Sequence, residues 1–257
     1  MSAAPTRAAG RTAPATTRVS RRGSLVTRLA GRAPVVMYHG VGVVGADPIG
    51  LFVDPERFGR QMRMLHLLGL RGVSFSELGD AVAAGRAAGL VGLTFDDGYR
   101  DVLRGAVPVL RRYGFTATFF VLSGLLGGAN VWDPPPRREL VSADDVRWLA
   151  AGGHEIGSHG VSHPRLTEVA PQVLRDEVAD SRAAFGRLLG VEPRSFCYPY
   201  GWVDQRVVRA VVDAGYSYAC AVHRVPGLPD RYATPRVGVG QCDWSVRFAA
   251  KLFLRGR

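Results

Sequence analysis

The chain has few cysteines, one lysine and no long apolar run, and each shortage excludes something. Its three cysteines (Cys197, Cys220 and Cys242) are too few and too scattered for a disulfide framework or a four-cysteine metal knuckle. Their odd number does not pair off, so the fold is expected to do without disulfides. No apolar run approaches the ~20 residues that a membrane-spanning helix needs. Lys251 is the single lysine among 33 basic residues, which face 22 acidic ones for a formal net charge of +11. Acid is absent from residues 1–32, which hold seven arginines, so +7 of the +11 sits there and +4 on the rest. The sequence pI of about 10.4 raises nucleic acid as a partner. No zinc knuckle, basic helix or aromatic RNA-binding motif supports it, so no nucleic-acid partner is expected. The arginines of residues 1–32 read as the chain's compositional habit, with an arm for nucleic acid or anionic lipid as the alternative.

What is present is an ordinary globular balance, 47% hydrophobic and 21% charged over 257 residues. Residues 1–32 are rich in Ala, Thr, Ser, Pro, Gly and Arg without any period, and are expected to be a disordered tail. Ser20-Arg21-Arg22-Gly23-Ser24-Leu25-Val26 invites a twin-arginine export reading. Arg28 and Arg32 interrupt the apolar stretch of ~7–15 residues that such a signal needs. Location stays open, cytoplasmic by default with export or cell-envelope association as the alternative.

Residues 33–257 read as one catalytic domain. Short apolar runs at Val35–Tyr38, Leu90–Phe95, Thr116–Leu122, His154–Gly157, Ser195–Tyr198 and Tyr216–Cys220 are strands by composition and length. Helical spacing links them at Pro55–Leu68, Asp101–Tyr113, Leu166–Leu189 and Asp204–Ala214, with Ser142 capping a further helix. Pro108 predicts a kink or a broken first turn inside the second of these. About seven alternating units imply an α/β fold with a parallel sheet, a barrel-like single domain.

Barrel enzymes place their chemistry at the C-terminal ends of strands. Thr94-Phe95-Asp96-Asp97-Gly98 puts two adjacent carboxylates at such an end, pointing different ways and free to take two jobs, one on a metal and one on a proton. Gly157-Ser158-His159-Gly160-Val161-Ser162-His163-Pro164 puts two histidines four apart. Imidazole is a common ligand of zinc-type cations, and two histidines with one carboxylate leave open positions for water and substrate. Phe196-Cys197-Tyr198-Pro199-Tyr200-Gly201 alone is a strand entering a turn; its place in the order is what informs.

In that order these three stretches resemble the successive motifs of the polysaccharide deacetylases with a NodB-homology domain, over about Pro34 to Val239. The resemblance implies a distorted (β/α)7 barrel that hydrolyses an acetamide with zinc or a similar divalent cation. Carried over, Asp97, His159 and His163 would hold the metal and Asp96 would be the general base toward water. The Tyr200 backbone N–H would help hold the oxyanion. Two departures matter. Cys197 stands where chitin-type members carry the arginine that orients the base. No histidine follows Pro235-Arg236-Val237, where those members have their general acid. The pattern looks more like the branch acting on poly-β-1,6-N-acetylglucosamine, which opens with Met-Tyr-His, so that His39 would be the acid. His223, after a strand, is the rival; His66 falls on a helix and His154 starts a strand at the wrong end. Trp132 would stack on a sugar or anchor its loop, and Cys197 is a small core residue.

The expected function is removal of N-acetyl groups from a polymeric or lipid-linked amino sugar. An O-acetyl esterase is the neighbouring alternative, and a non-catalytic carbohydrate-binding barrel the alternative from another class. Intact Asp96, Asp97, His159 and His163 argue against the last.

Overall fold

The computed structural model describes Met1 and residues 33–43, 45 and 47–254; the expected N-terminal tail lies outside the described residues, Met1 apart. The elements follow in the order β1 (Val35–Tyr38), β2 (Gly40–Val41), β3 (Phe52–Val53), α1 (Pro55–Leu67), β4 (Arg71–Val73), α2 (Phe75–Ala83), β5 (Leu90–Phe95), α3 (Val102–Gly105), α4 (Val107–Tyr113) and β6 (Thr118–Val121). They continue as α5 (Ala143–Ala151), β7 (Glu155–Ser158), α6 (Pro171–Leu189), β8 (Ser195–Cys197), α7 (Gln205–Asp213), β9 (Tyr218–Cys220), β10 (Val237–Gly238) and α8 (Ser245–Leu254).

The main sheet runs β10-β1-β5-β6-β7-β8-β9, with β4 beside the start of β5. Every pairing in it is parallel. Thr234 bridges Cys220 of β9 in parallel, and three residues later Val237 pairs with Val36 of β1. The segment 234–238 therefore touches both ends of the sheet and curls it into the barrel-like fold that the alternation implied, the distorted barrel of the resemblance. All C-terminal strand ends share one rim.

The strands hold because they bury side chains on both faces. Phe95 stacks between Tyr38 at 5.4 Å and Phe119 at 4.9 Å, and all three rings are buried. Each such ring contributes roughly 1.5–3 kcal/mol by leaving water. Helix starts are written locally. Asp54 accepts from the Glu56 and Arg57 N–H groups, Ser74 from Glu77, and Asp204 from Val207. Ser142 and Asp145 close a reciprocal capping box.

Some boundaries differ from the sequence reading. The Asp101–Tyr113 helix breaks at Ala106 (φ −102°, ψ −51°) into α3 and α4. Pro108 then lies in the first turn of α4, where its missing N–H costs nothing, which is the broken turn the proline predicts. The helix expected from Leu166 starts only at Pro171, because proline holds Ala170 extended at ψ 151°. Strands β2 and β3 pair in parallel as a separate two-stranded sheet. At two residues each they are too short to show a period. Helix α8 was not anticipated; it docks through Phe248 and Leu252.

Candidate active site

Four of the predicted residues meet on the rim. Asp96 and Asp97 leave β5, and His159 leaves β7; His163 ends the loop that follows. All four are buried. Asp97 Oδ1 lies 3.2 Å from His159 Nε2 and 3.3 Å from His163 Nε2. Among the described residues, three non-glycine residues have left-handed backbones: Asp97 (φ 69°), His163 (φ 67°) and Tyr200 (φ 59°). Such conformations persist where the surroundings over-determine them, and they cluster at active sites. All three are positions the motifs singled out.

The donor set fits a zinc-type cation. The Cys197 carbonyl can only accept, so His159 Nδ1, 2.8 Å away, donates to it. In the neutral ring Nε2 then presents a lone pair toward the Asp97 carboxylate. Two acceptors facing each other at 3.2 Å ask for a cation or a proton between them. Two imidazole nitrogens and one carboxylate oxygen are the ligands zinc takes in catalytic sites. His163 is held by packing: Trp132 stacks on it at 4.4 Å and Tyr200 meets it edge-on at 4.6 Å. Its Nδ1 is buried with no hydrogen-bond partner among the described residues.

The 159–163 loop is fastened from below by Glu177 of α6. Its Oε2 accepts from the backbone N–H of Val161 at 2.7 Å and Ser162 at 3.0 Å, and Oε1 accepts from the Ser162 hydroxyl. Gly160 has no Cβ because one would stand 2.9 Å from that carboxylate.

Sequence reasoning missed Glu177 and, at the general base itself, a second residue. Arg236, from the chain just before β10, grips Asp96 with both ends of its guanidinium, at 2.7 Å to Oδ1 and 2.6 Å to Oδ2. It also donates to Thr94 Oγ1 at 3.0 Å, the Ala221 carbonyl at 3.1 Å and Cys197 Sγ at 3.1 Å. The signal was available. The arginine absent at position 197 had a counterpart in Pro235-Arg236-Val237, on a strand that closes the barrel against β1. Asp96, His159 and Cys197 also lie close enough to suggest a second ligand group. The guanidinium already supplies the positive charge there, and burial pushes the Cys197 thiol far up, so it stays protonated.

The electrostatics separate the roles. Burial would raise the Asp96 carboxyl, but Arg236 outweighs it and holds the group below the usual carboxylate range. Burial would also raise Asp97, and hydrogen bonds from His159 and His163 hold it well below. Burial lowers both imidazoles. At His159 the hydrogen bond to the Asp97 carboxylate and the charge of Asp96 overcome it and leave the ring well above ordinary histidine, whereas at His163 burial wins.

His39 follows β1, is half-buried, and lies near enough to Asp96 and Asp97 for a charge on it to favour their ionised forms. His223 is exposed beyond β9. His66 is exposed beside Tyr113. His154 sits at the opposite end of the barrel, edge-on to Phe119. Tyr200 and Trp202 are about half-exposed beside the site, with Arg165 lying over both rings at 5.5 and 4.7 Å.

A curled parallel barrel with this rim defines a class of hydrolase, and the comparisons identify it. Residues 84–219 match the polysaccharide deacetylase family, and the chain belongs to that family. YxkH of Bacillus subtilis, named for the same family, is 27% identical over 219 residues, covering 83% of this chain and 73% of that one. The peptidoglycan-N-acetylglucosamine deacetylase PgdA of Listeria monocytogenes is 32% identical over 124 residues. That match covers 47% of this chain and only 23% of PgdA. The fold matches the Streptococcus pyogenes deacetylase PplD, solved in complex with acetate, with a TM-score of 0.75 at 21% identity over 86% of this chain and 98% of that one. Deacetylases of this family use a divalent metal, and the Asp97, His159 and His163 cluster offers a place for one. No described helix is long and apolar enough to cross a membrane.

Proposed function

We propose that the chain removes N-acetyl groups from an amino-sugar glycan and releases acetate, with a zinc ion held by Asp97, His159 and His163. The observation that carries this reading is Asp97 Oδ1 within 3.3 Å of two buried imidazole nitrogens, beside a second carboxylate gripped by Arg236. When bound, the cation would act as a Lewis acid on the acetyl carbonyl and make water easier to deprotonate.

The chain's own groups supply the rest. Asp96, ionised and fixed by the guanidinium fork, takes a proton from the attacking water. The Tyr200 N–H, held in its left-handed turn, donates to the oxygen on which charge develops; such a donor is worth about 2.7–4 kcal/mol in other hydrolases. His39 gives a proton to the nitrogen as the C–N bond breaks, so acetate and a free amine leave. The faces of Trp132, Tyr200 and Trp202 offer a platform for sugar rings. The half-buried place of His39 directly after β1 and the clamp from the closing strand support a poly-N-acetylglucosamine-like or lipid-linked substrate. PgdA, named for an N-acetylglucosamine substrate, supports amide over ester.

The test is acetate release from matched N-acetylated and O-acetylated glycans, with and without chelator. Chelator-sensitive release from the N-acetylated set is expected. Release from the O-acetylated set alone would replace this reading with an esterase.

A further inference from the structure

The two histidines of the site are oriented by different means. His159 donates Nδ1–H to the Cys197 carbonyl at 2.8 Å. Such an outer hydrogen bond fixes ring and tautomer in most metal-ligating histidines. His163 lacks one: its Nδ1 is buried without a partner among the described residues. A ring lies against it instead. Trp132 stacks on His163 at 4.4 Å, with 20° between the two planes. Ring contacts of this kind have a preferred geometry as well as an area. The aim of His163 Nε2 at Asp97 therefore depends on where Trp132 stands.

Trp132 is carried by an excursion of the chain, residues 127–141, between β6 and α5. Its two limbs pair with each other: the Leu140 N–H donates to the Gly128 carbonyl at 2.9 Å and the Asn130 N–H to the Arg138 carbonyl at 3.2 Å. The returning limb also pairs with the chain just after the two carboxylates. The Val141 N–H donates to the Gly98 carbonyl at 2.8 Å, and the Arg100 N–H to the Glu139 carbonyl at 3.0 Å. Side chains repeat the link at the tip. The Tyr99 hydroxyl donates to Asp133 Oδ2 at 2.9 Å, and Asn130 Nδ2 donates to the same oxygen at 3.1 Å. Both donors are buried. Asn130 is fixed in turn: its Oδ1 accepts from the Arg138 N–H at 2.7 Å, and its carbonyl from Arg137 at 2.8 Å. Arg137 also donates to the Asp133 carbonyl. Asp133 directly follows Trp132, so these bonds set the place of the indole. Satisfied buried networks of this kind rigidify what they hold.

We propose that Tyr99 and Asn130 are positioning residues of the metal site. Through Asp133 they hold Trp132 against His163, and the stacked indole does for His163 what the Cys197 carbonyl does for His159. This rests on the reading in which Asp97, His159 and His163 hold the metal.

The test measures zinc affinity by competition with a chelator, together with the indole N–H signals of the metal-free protein by NMR. The chain has four tryptophans, and Trp132→Phe identifies the signal of one. Tyr99→Phe removes a hydroxyl and keeps the ring that packs on Phe52. It should move the Trp132 signal, leave those of Trp148 and Trp244 in place, and weaken zinc binding about tenfold, the lower end of what outer partners of metal ligands are worth. Asn130→Ala and Asp133→Ala should act in the same direction. Asp133→Asn, which keeps an acceptor for Tyr99, should restore most of the affinity. Unchanged zinc affinity in Tyr99→Phe, or a loss with the Trp132 signal unmoved, would overturn the proposal. So would a loss in Asp133→Asn equal to that in Asp133→Ala, which would assign the effect to charge. A wild type that binds no zinc fails the metal reading itself, and the NMR arm then judges the hold on Trp132 alone. A displaced Trp132 signal in Tyr99→Phe supports it; an unmoved one overturns it.

Discussion

Replacing Arg236 by alanine tests how the base is held. In the wild type this side chain is buried and makes two charge-assisted bonds to Asp96 and three to neutral acceptors. The variant leaves a buried carboxylate without its counter-charge, together with unsatisfied acceptors at Thr94 and Ala221. Removing one partner of a buried pair costs about 3–5 kcal/mol. For a domain of this size each kcal/mol lowers Tm by about 2–4 °C, so a fall of about 6–20 °C is expected. The physical cause is the stranded charge, and a double-mutant cycle isolates it. In an Asp96→Asn background the same Arg236→Ala change should cost less by up to about 3 kcal/mol. Urea unfolding with unchanged m-values is the assay. Arg236→Lys should keep metal content and lose kcat, because an ammonium cannot reproduce the fork. An Arg236→Ala cost below 1 kcal/mol, or the same cost in both backgrounds, would refute the reasoning.

The other predictions concern the remaining roles. Asp96→Asn should retain the metal and lose about 10²–10⁴-fold in turnover, measured by acetate release; a loss under about tenfold removes it as the base. His39→Ala should lose the basic limb of the kcat/KM profile while His223→Ala keeps it; the reverse pattern makes His223 the acid. Glu177→Ala should weaken metal binding about 10–100-fold by loosening the 159–163 loop, and Glu177→Gln should restore most of it, both read by metal titration.

Much of the fold was legible because its strands are short apolar runs separated by capped helices. The Asp-Asp-Gly turn and the His-x-x-x-His loop lie close in space because parallel strands deliver their C-terminal ends to one rim. What stayed hidden depended on closure. Arg236 lies in a Pro-Arg-Val stretch that the sequence singled out, but as one of many arginines it shows its role only where β10 lies beside β1 and its side chain reaches Asp96. Glu177 reads as a surface position on an amphipathic helix, yet it is buried beneath the histidine loop. Helix α6 starts late because the proline at its first position overrides the apolar spacing before it.

The central claim is that Asp97, His159 and His163 hold one catalytic metal. It is tested most directly by measuring metal content and acetate release together, on an N-acetylated glycan, for the wild type and His159→Ala. The account predicts one zinc per chain with chelator-sensitive release in the wild type, and neither metal nor release in a folded His159→Ala. Full metal occupancy in that variant, or undiminished release without metal, would contradict it.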